Sequence, residues 1–167
     1  MVNILFLDID GVLNCQEYYS SNRFDKTNGN YPYNQIDKLR VQWLNNLCIS
    51  CDLKVVISST WRSSGIDYCK DVLEKCGSTF EIIDITPYSE ERIRGVEIYK
   101  WIQNNSKTLG HHFEDYVIID DDSDMLLWQQ HHFFHVDGYS GLTPNTVYKI
   151  ERFFKYTLKY TIKNEKI

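Results

Sequence analysis

No apolar run in this chain approaches the roughly 18 residues that a membrane span needs, which leaves no candidate transmembrane segment. Positive charge is not in excess: the formal net charge is -5, so nothing draws the whole chain toward nucleic acid or an anionic membrane, although a local basic cleft stays compatible with that total. Proline is sparse, with three in 167 residues, and no Ser/Gly-rich stretch marks a linker. One domain over residues 1–167 is expected, large enough for a real core. Cysteines number five, an odd count that does not build a disulfide framework. The apolar start at residues 1–7 lacks a basic flank and runs straight into Asp8, unlike a secretory leader. Reduced thiols in a cytoplasmic setting are the expectation. Cys48 and Cys51 have the spacing of half a zinc or redox site, but no second pair matches it; a structural role is expected. What the chain has in excess is tyrosine, with 12.

The most informative stretch is Val2 to Asn14. Its nearly unbroken apolar run delivers Asp8 and Asp10 into a turn at Gly11. A strand apolar on both faces is what the centre of a parallel sheet requires, and in such sheets the chemistry lies just beyond the carboxyl ends of the strands. Two carboxylates there can share a divalent ion, one attacking while the other moves a proton. For an Asp-Gly dipeptide alone, a solvated turn is the commoner explanation, so the remaining strands must decide.

Residues Cys15 to Tyr33 show no sustained period and read as a long loop over the aspartates, with Tyr18, Tyr19, Phe24, Tyr31 and Tyr33 either stacking on a base or forming a local cluster. An amphipathic helix is expected over Asn34 to Ile49, then a strand Leu53 to Ile57 ending in Ser58-Ser59-Thr60-Trp61-Arg62. A helix over Ser64 to Cys76 stops at Gly77, and Phe80 to Ile83 is a short strand. After a charged loop from Pro87 to Arg94, Gly95 opens another helix, followed by a polar connection over Asn104 to Phe113. The strand Tyr116 to Ile119 runs into Asp120-Asp121-Asp122-Ser123-Asp124. A helix over Met125 to Gln130, a strand over Phe133 to Val136 and a terminal helix begun by Thr143-Pro144 complete the pattern, with a frayed tail from Lys159. Strands alternating with helices five times imply an α/β, Rossmann-like three-layer sandwich with a five-stranded parallel sheet.

Three strand ends therefore carry polar groups to one edge: Asp8 and Asp10, the Ser58–Arg62 string, and the acidic run from Asp120 to Asp124. Converging carboxylates repel unless a cation neutralises them. A hard divalent ion with oxygen ligands answers that need, and Mg²⁺ is the default because it keeps coordination positions open for a phosphate. A serine hydroxyl, the Arg62 guanidinium and Arg94 at a helix start suit the remaining phosphate oxygens. The five histidines, His111, His112, His131, His132 and His135, have no metal-ligand spacing.

Phe6-Leu7-Asp8-Ile9-Asp10-Gly11-Val12-Leu13 resembles the first motif of the haloacid dehalogenase (HAD) superfamily. Val55-Val56-Ile57-Ser58 resembles its second, Arg94 stands where the third has Lys or Arg, and Val117-Ile118-Ile119-Asp120-Asp121 resembles the acidic fourth. The longer strings Ser58 to Arg62, Arg94-Gly95-Val96-Glu97-Ile98 and Asp120 to Met125, with Gly141-Leu142-Thr143, are similar to the small HAD domain of Swiss Army Knife RNA-repair proteins. The resemblance implies a HAD-like fold with a minimal cap at residues 15–33. It implies Asp8 as nucleophile through an aspartyl-phosphate, and Asp10 as acid/base and, by its backbone carbonyl, metal ligand. Ser58 would bind the phosphoryl group, Arg94 would steady its charge, and Asp120 and Asp121, with Asp124 in support, would complete a Mg²⁺ site. Ser59, Thr60, Arg62 and Gly11 form the expected substrate surround. Asp121-Asp122 is the alternative placement of the fourth motif, Ser59 the alternative to Ser58, and a surface ion pair the alternative for Arg62. The implied activity is a phosphatase working on a phosphorylated RNA or DNA terminus or a nucleotide. A phosphoprotein or small-metabolite phosphatase and a non-catalytic phosphate-binding module are the alternatives.

Overall fold

The computed structural model describes residues 3–109 and 116–164. His111, His112, the end of the expected polar connection and the last residues of the expected tail lie outside them. The strands are β1 (Asn3–Leu7), β2 (Leu53–Ile57), β3 (Ile82–Ile85), β4 (Tyr116–Asp120) and β5 (Phe133–His135). They form one five-stranded sheet in the order β3-β2-β1-β4-β5, and every pairing is parallel. The chain winds outward from β1 in one direction through β2 and β3, and in the other through β4 and β5. The reversal lies between β1 and β4, where open α/β sheets leave a crevice beyond the strand ends.

Strand alternation divides the core. Leu5, Leu7, Val55, Ile57, Val117 and Ile119 pack toward α3 (Lys38–Cys51), α4 (Ile66–Lys75) and α6 (Pro144–Asn164) through residues such as Leu44, Leu73 and Ile150. Ile4, Phe6, Val56 and Ile118 face α5 (Arg94–Leu109) through Ile98 and Trp101. Because Leu7 stands opposite both Ile57 and Ile119, the next residues on the three central strands are Asp8, Ser58 and Asp120. By the period of two they fall on the α5 side, where that helix begins at Arg94.

Several boundaries differ from expectation for identifiable reasons. The helix foreseen over Asn34 to Ile49 is split. A single turn, α2 (Pro32–Gln35), has proline at its start; α3 begins at Lys38, where the Asp37 carboxylate accepts from the Leu39 amide at 3.1 Å. The stretch from Cys15 to Tyr33 is not aperiodic: α1 (Gln16–Ser20) buries Tyr18. The Tyr18, Tyr19 and Phe24 rings pack with centroids 5.1 to 5.7 Å apart, and the Tyr18 hydroxyl donates to the Asn34 carbonyl at 2.9 Å. These three aromatics form a local cluster.

After β2 the chain makes a 3₁₀ helix at Thr60–Ser64, so α4 starts at Ile66 rather than Ser64. Gly77, at φ +90°, ends α4 as expected. The third strand starts at Ile82, two residues later than foreseen. In place of the helix over Met125 to Gln130 there is a 3₁₀ turn, Leu127–Gln129. The buried Gln129 side chain accepts from the Leu126 amide and donates to the Gly95 carbonyl, spanning to α5 instead of facing solvent. Helix α5 extends to Leu109 and α6 to Asn164, past the points where connection and fraying were expected. All five thiols are free and buried. Burial pushes Cys48 up to about 12, the opposite of an activated thiolate. No helix among the described residues is long and apolar enough to cross a membrane.

Candidate active site

One carboxylate oxygen each from Asp8, Asp120 and Asp121 lies within 4.8 Å of the others. Asp8 and Asp120 are almost fully buried. Burial and the neighbouring Asp120 push Asp8 up to about 8, against the pull of Arg94 and of the Ser59 side chain. Burial likewise raises Asp120 to about 6, against Arg94. A single guanidinium serves both: Arg94 Nη2 is 3.4 Å from Asp8 Oδ1, and its Nε is 3.2 Å from Asp120 Oδ2. The second contact is an ion pair by distance but is misaligned, and neither Arg94 Nε nor Asp120 Oδ2 has a hydrogen-bond partner. A buried carboxylate oxygen without a donor, inside a group of three, is the donor set a hard divalent cation requires. The residues present fit Mg²⁺.

The acidic run after β4 divides its tasks. Asp120 Oδ1 accepts from the Asp122 amide at 2.9 Å, fixing the turn. Asp121 enters the carboxylate group, and its side chain is threaded between two glycines. A Cβ on Gly11, which sits at φ +69°, would lie 2.1 Å from Asp121 Oδ2; one on Gly138 would lie 2.5 Å from it. Among the described residues Asp122 does not join the group, which takes Asp120 and Asp121 from the acidic run. Asp124 does not join it either. Its Oδ2 accepts the Arg94 amide at 2.8 Å and its carbonyl the Gly95 amide at 3.3 Å, so it acts at the start of α5. Gly11→Ala is expected to push Asp121 aside and weaken Mg²⁺ binding about tenfold or more, a loss of the order seen when a ligand's support is removed. Calorimetric titration with Mg²⁺ checks it; unaltered affinity would mean that Asp121 does not ligate.

Asp10 is exposed and held apart from this group. Trp61 Nε1 lies 3.0 and 3.1 Å from its two oxygens, Asn14 Nδ2 donates at 2.8 Å, and the Thr60 hydroxyl is at 3.3 Å. Asn14 also accepts the Gly11 amide at 3.0 Å, tying the turn to the carboxylate it carries. Trp61 and Thr60 come from the 3₁₀ helix after β2, whose N-cap is Ser59. Both serines meet the site, differently. Ser59 lies close enough to Asp8 to pull its titration downward, while the Ser58 hydroxyl is fully buried with no partner beside Asp8 in register.

Arg62 departs from both expectations for it, an open phosphate ligand or a surface ion pair. It is 3% exposed. One nitrogen donates to the Ser58 and Ser59 carbonyls at 2.6 and 2.7 Å, and the other pairs with buried Glu97. Glu97 also accepts the Ser89 amide at 3.1 Å. Arg62 and Glu97 thus clamp the end of β2 to α5. Sequence reasoning missed Trp61, Asn14 and Glu97 as working residues. Each lay inside a quoted string, but only the fold shows that Trp61 and Asn14 meet at Asp10.

The raised Asp8 has a consequence with a definite sign. Its ordinary value is 3.8 and its folded value about 8, so between these limits the folded, metal-free chain holds a proton that the unfolded chain has released. Stability from this site is full below about pH 4 and is lost as pH rises toward 8. A cation that binds the deprotonated group reverses the loss. Excess Mg²⁺ is expected to raise Tm by about 5 °C near pH 8 and little near pH 5. Thermal melts with and without Mg²⁺ at both pH values check this; equal gains at both would remove the carboxylate cluster as the binding site.

A family model described as "HAD domain in Swiss Army Knife RNA repair proteins" matches residues 4–147. No curated protein and no solved structure matches the chain.

Proposed function

The chain belongs to the family of HAD domains found in Swiss Army Knife RNA repair proteins, and on that premise we propose that it is a Mg²⁺-dependent phosphohydrolase acting on a phosphorylated nucleic-acid end or nucleotide. The observation that carries this reading is the placement of Asp8. It is buried, in register with Ser58 and Asp120, and 3.4 Å from the Arg94 guanidinium.

In the proposed reaction Asp8 attacks the phosphorus and the ester bond to the leaving oxygen breaks, producing an aspartyl-phosphate. Asp10 gives that oxygen a proton, then takes one from the water that cleaves the Asp8–phosphorus bond. Exposure of Asp10, and its grip by Trp61, Asn14 and Thr60, suits proton exchange with leaving group and water. Arg94 and the Ser58 hydroxyl hold the phosphoryl oxygens; Ser59 steadies Asp8. Mg²⁺, held by Asp8, Asp120, Asp121 and the Asp10 carbonyl, would supply the positive charge that offsets the phosphoryl oxygens. Gly11 supports this arrangement by leaving room for Asp121.

The family description supports a nucleic-acid substrate; the net charge of -5 favours a phosphoprotein or small metabolite as second reading. A Mg²⁺-supplemented screen of phosphorylated oligonucleotides, nucleotides, phosphopeptides and sugar phosphates separates the two. Expected are EDTA-sensitive phosphate release and a salt-sensitive preference for oligonucleotides. A preference for phosphopeptides or sugars would transfer the conclusion to the second reading.

A further inference from the structure

Beside Arg94, away from the carboxylate group, lies a cavity of about 840 Å³, lined by Thr60, Arg62, Tyr88, Arg92 and Arg94 among others. That is far more room than a phosphoryl group needs and suits a drug-sized or nucleoside-sized ligand. The cavity adjoins the reacting groups through two lining residues: Arg94 contacts Asp8, and the Thr60 hydroxyl is 3.3 Å from Asp10. A phosphate held at Asp8 would extend the rest of its molecule into this space.

The feature that selects the occupant is Tyr88. The residue is 57% exposed, yet the Arg62 guanidinium carbon sits 4.2 Å from its ring centroid. Arg62 is buried and covers one face of the ring, and Tyr88 itself lines the cavity. The backbone that carries the ring is held on both sides in sequence. Pro87 precedes it and restricts the backbone, Thr86 donates its amide to the Ile57 carbonyl at 2.9 Å, and Ser89 donates its amide to Glu97. An aromatic plate on a held backbone, backed by a cation and lining a cavity, is a stacking platform, and it orders little on binding.

Charge narrows the occupant further. Arg62 is neutralised by Glu97, and the remaining cations, Arg92 and Arg94, share the lining with Glu90, Asp122 and Asp124. A wall with more carboxylates than free cations disfavours a second phosphoryl group and suits a neutral heterocycle. We infer that this cavity is a nucleoside subsite in which Tyr88 stacks on the base attached to the phosphate undergoing hydrolysis. The inference rests on the nucleic-acid reading of the same site and specifies how it selects its substrate.

The test compares Mg²⁺-dependent phosphate release from three substrates: an oligonucleotide with a phosphorylated terminal nucleoside, the same oligonucleotide with an abasic phosphorylated terminus, and glycerol phosphate. Wild-type protein is expected to favour the base-bearing end over the abasic end about tenfold or more, through KM, in line with the strength of base stacking on an aromatic ring. Tyr88→Ala is expected to collapse that ratio toward one, and Tyr88→Phe to keep it. If wild-type protein hydrolyses both ends equally, or if Tyr88→Ala keeps the ratio, the subsite is refuted while the nucleic-acid reading stands. If only glycerol phosphate is hydrolysed, the nucleic-acid reading itself fails, and the subsite with it.

Discussion

Asp8→Asn is expected to lower phosphate release by about 10³-fold or more while raising the melting temperature of the metal-free protein near pH 8. The first effect follows from the proposed reaction, in which Asp8 supplies the attacking oxygen; losses of that size accompany deletion of a covalent nucleophile. The second follows from burial. In the wild-type chain Asp8 and Asp120 share one guanidinium in a water-poor site, and burial with their mutual repulsion raises Asp8 to about 8. An amide has nearly the same shape and no charge, so it removes the repulsion and keeps the packing. The two readouts together guard against a trivial explanation, since a misfolded variant would lose both activity and stability. Retained activity with raised stability would transfer the nucleophile's role to Asp10. Lost activity with lowered stability would indicate that Asp8 is chiefly structural.

Arg62→Ala is expected to cost about 3–5 kcal/mol of folding stability, the range for breaking a buried ion pair by removing one partner. The variant leaves Glu97 buried without its main counter-charge, and strips the Ser58 and Ser59 carbonyls of their donors. In a domain of this size that is a fall of on the order of 10 °C in Tm. Arg62→Lys should recover little, because an ammonium cannot reach two carbonyls and a carboxylate together as the planar fork does. Removing both partners in Arg62→Ala/Glu97→Ala should cost less than the sum of the single losses, the signature of direct coupling. Urea denaturation of wild type, Arg62→Ala, Glu97→Ala and the double variant measures this; additive losses would show that Arg62 and Glu97 act independently.

Much of the architecture was legible because it rests on short-range regularities. The apolar runs at Ile4 to Leu7, Val55 to Ile57 and Tyr116 to Ile119 can be buried on both faces only in a parallel sheet, and they are the three central strands. Strand ends and the order of polar groups along the chain could be read directly, so Asp8, Ser58, Arg94 and Asp120 were all named from sequence as members of one site. Boundaries failed where a side chain outcompeted a periodic pattern. Asp37 restarts α3 by capping it, and Gln129 replaces a helical turn by bonding across to Gly95.

The division between the two levels is sharpest at the site itself. The sequence alone determined which residues would be available: two aspartates after β1, two serines and an arginine after β2, an arginine at the start of α5 and four aspartates at and beyond the end of β4. These follow one another along single strands, where period and apolarity decide what emerges at the end. Only the tertiary structure decided which of them meet. Register placed Asp120 beside Asp8, and the empty space at Gly11 and Gly138 admitted Asp121. Asp124 was taken by the start of α5, and Arg62 was drawn into the interior by Glu97, a residue 35 positions away. Such assignments depend on distances between elements remote in sequence, which no local pattern encodes.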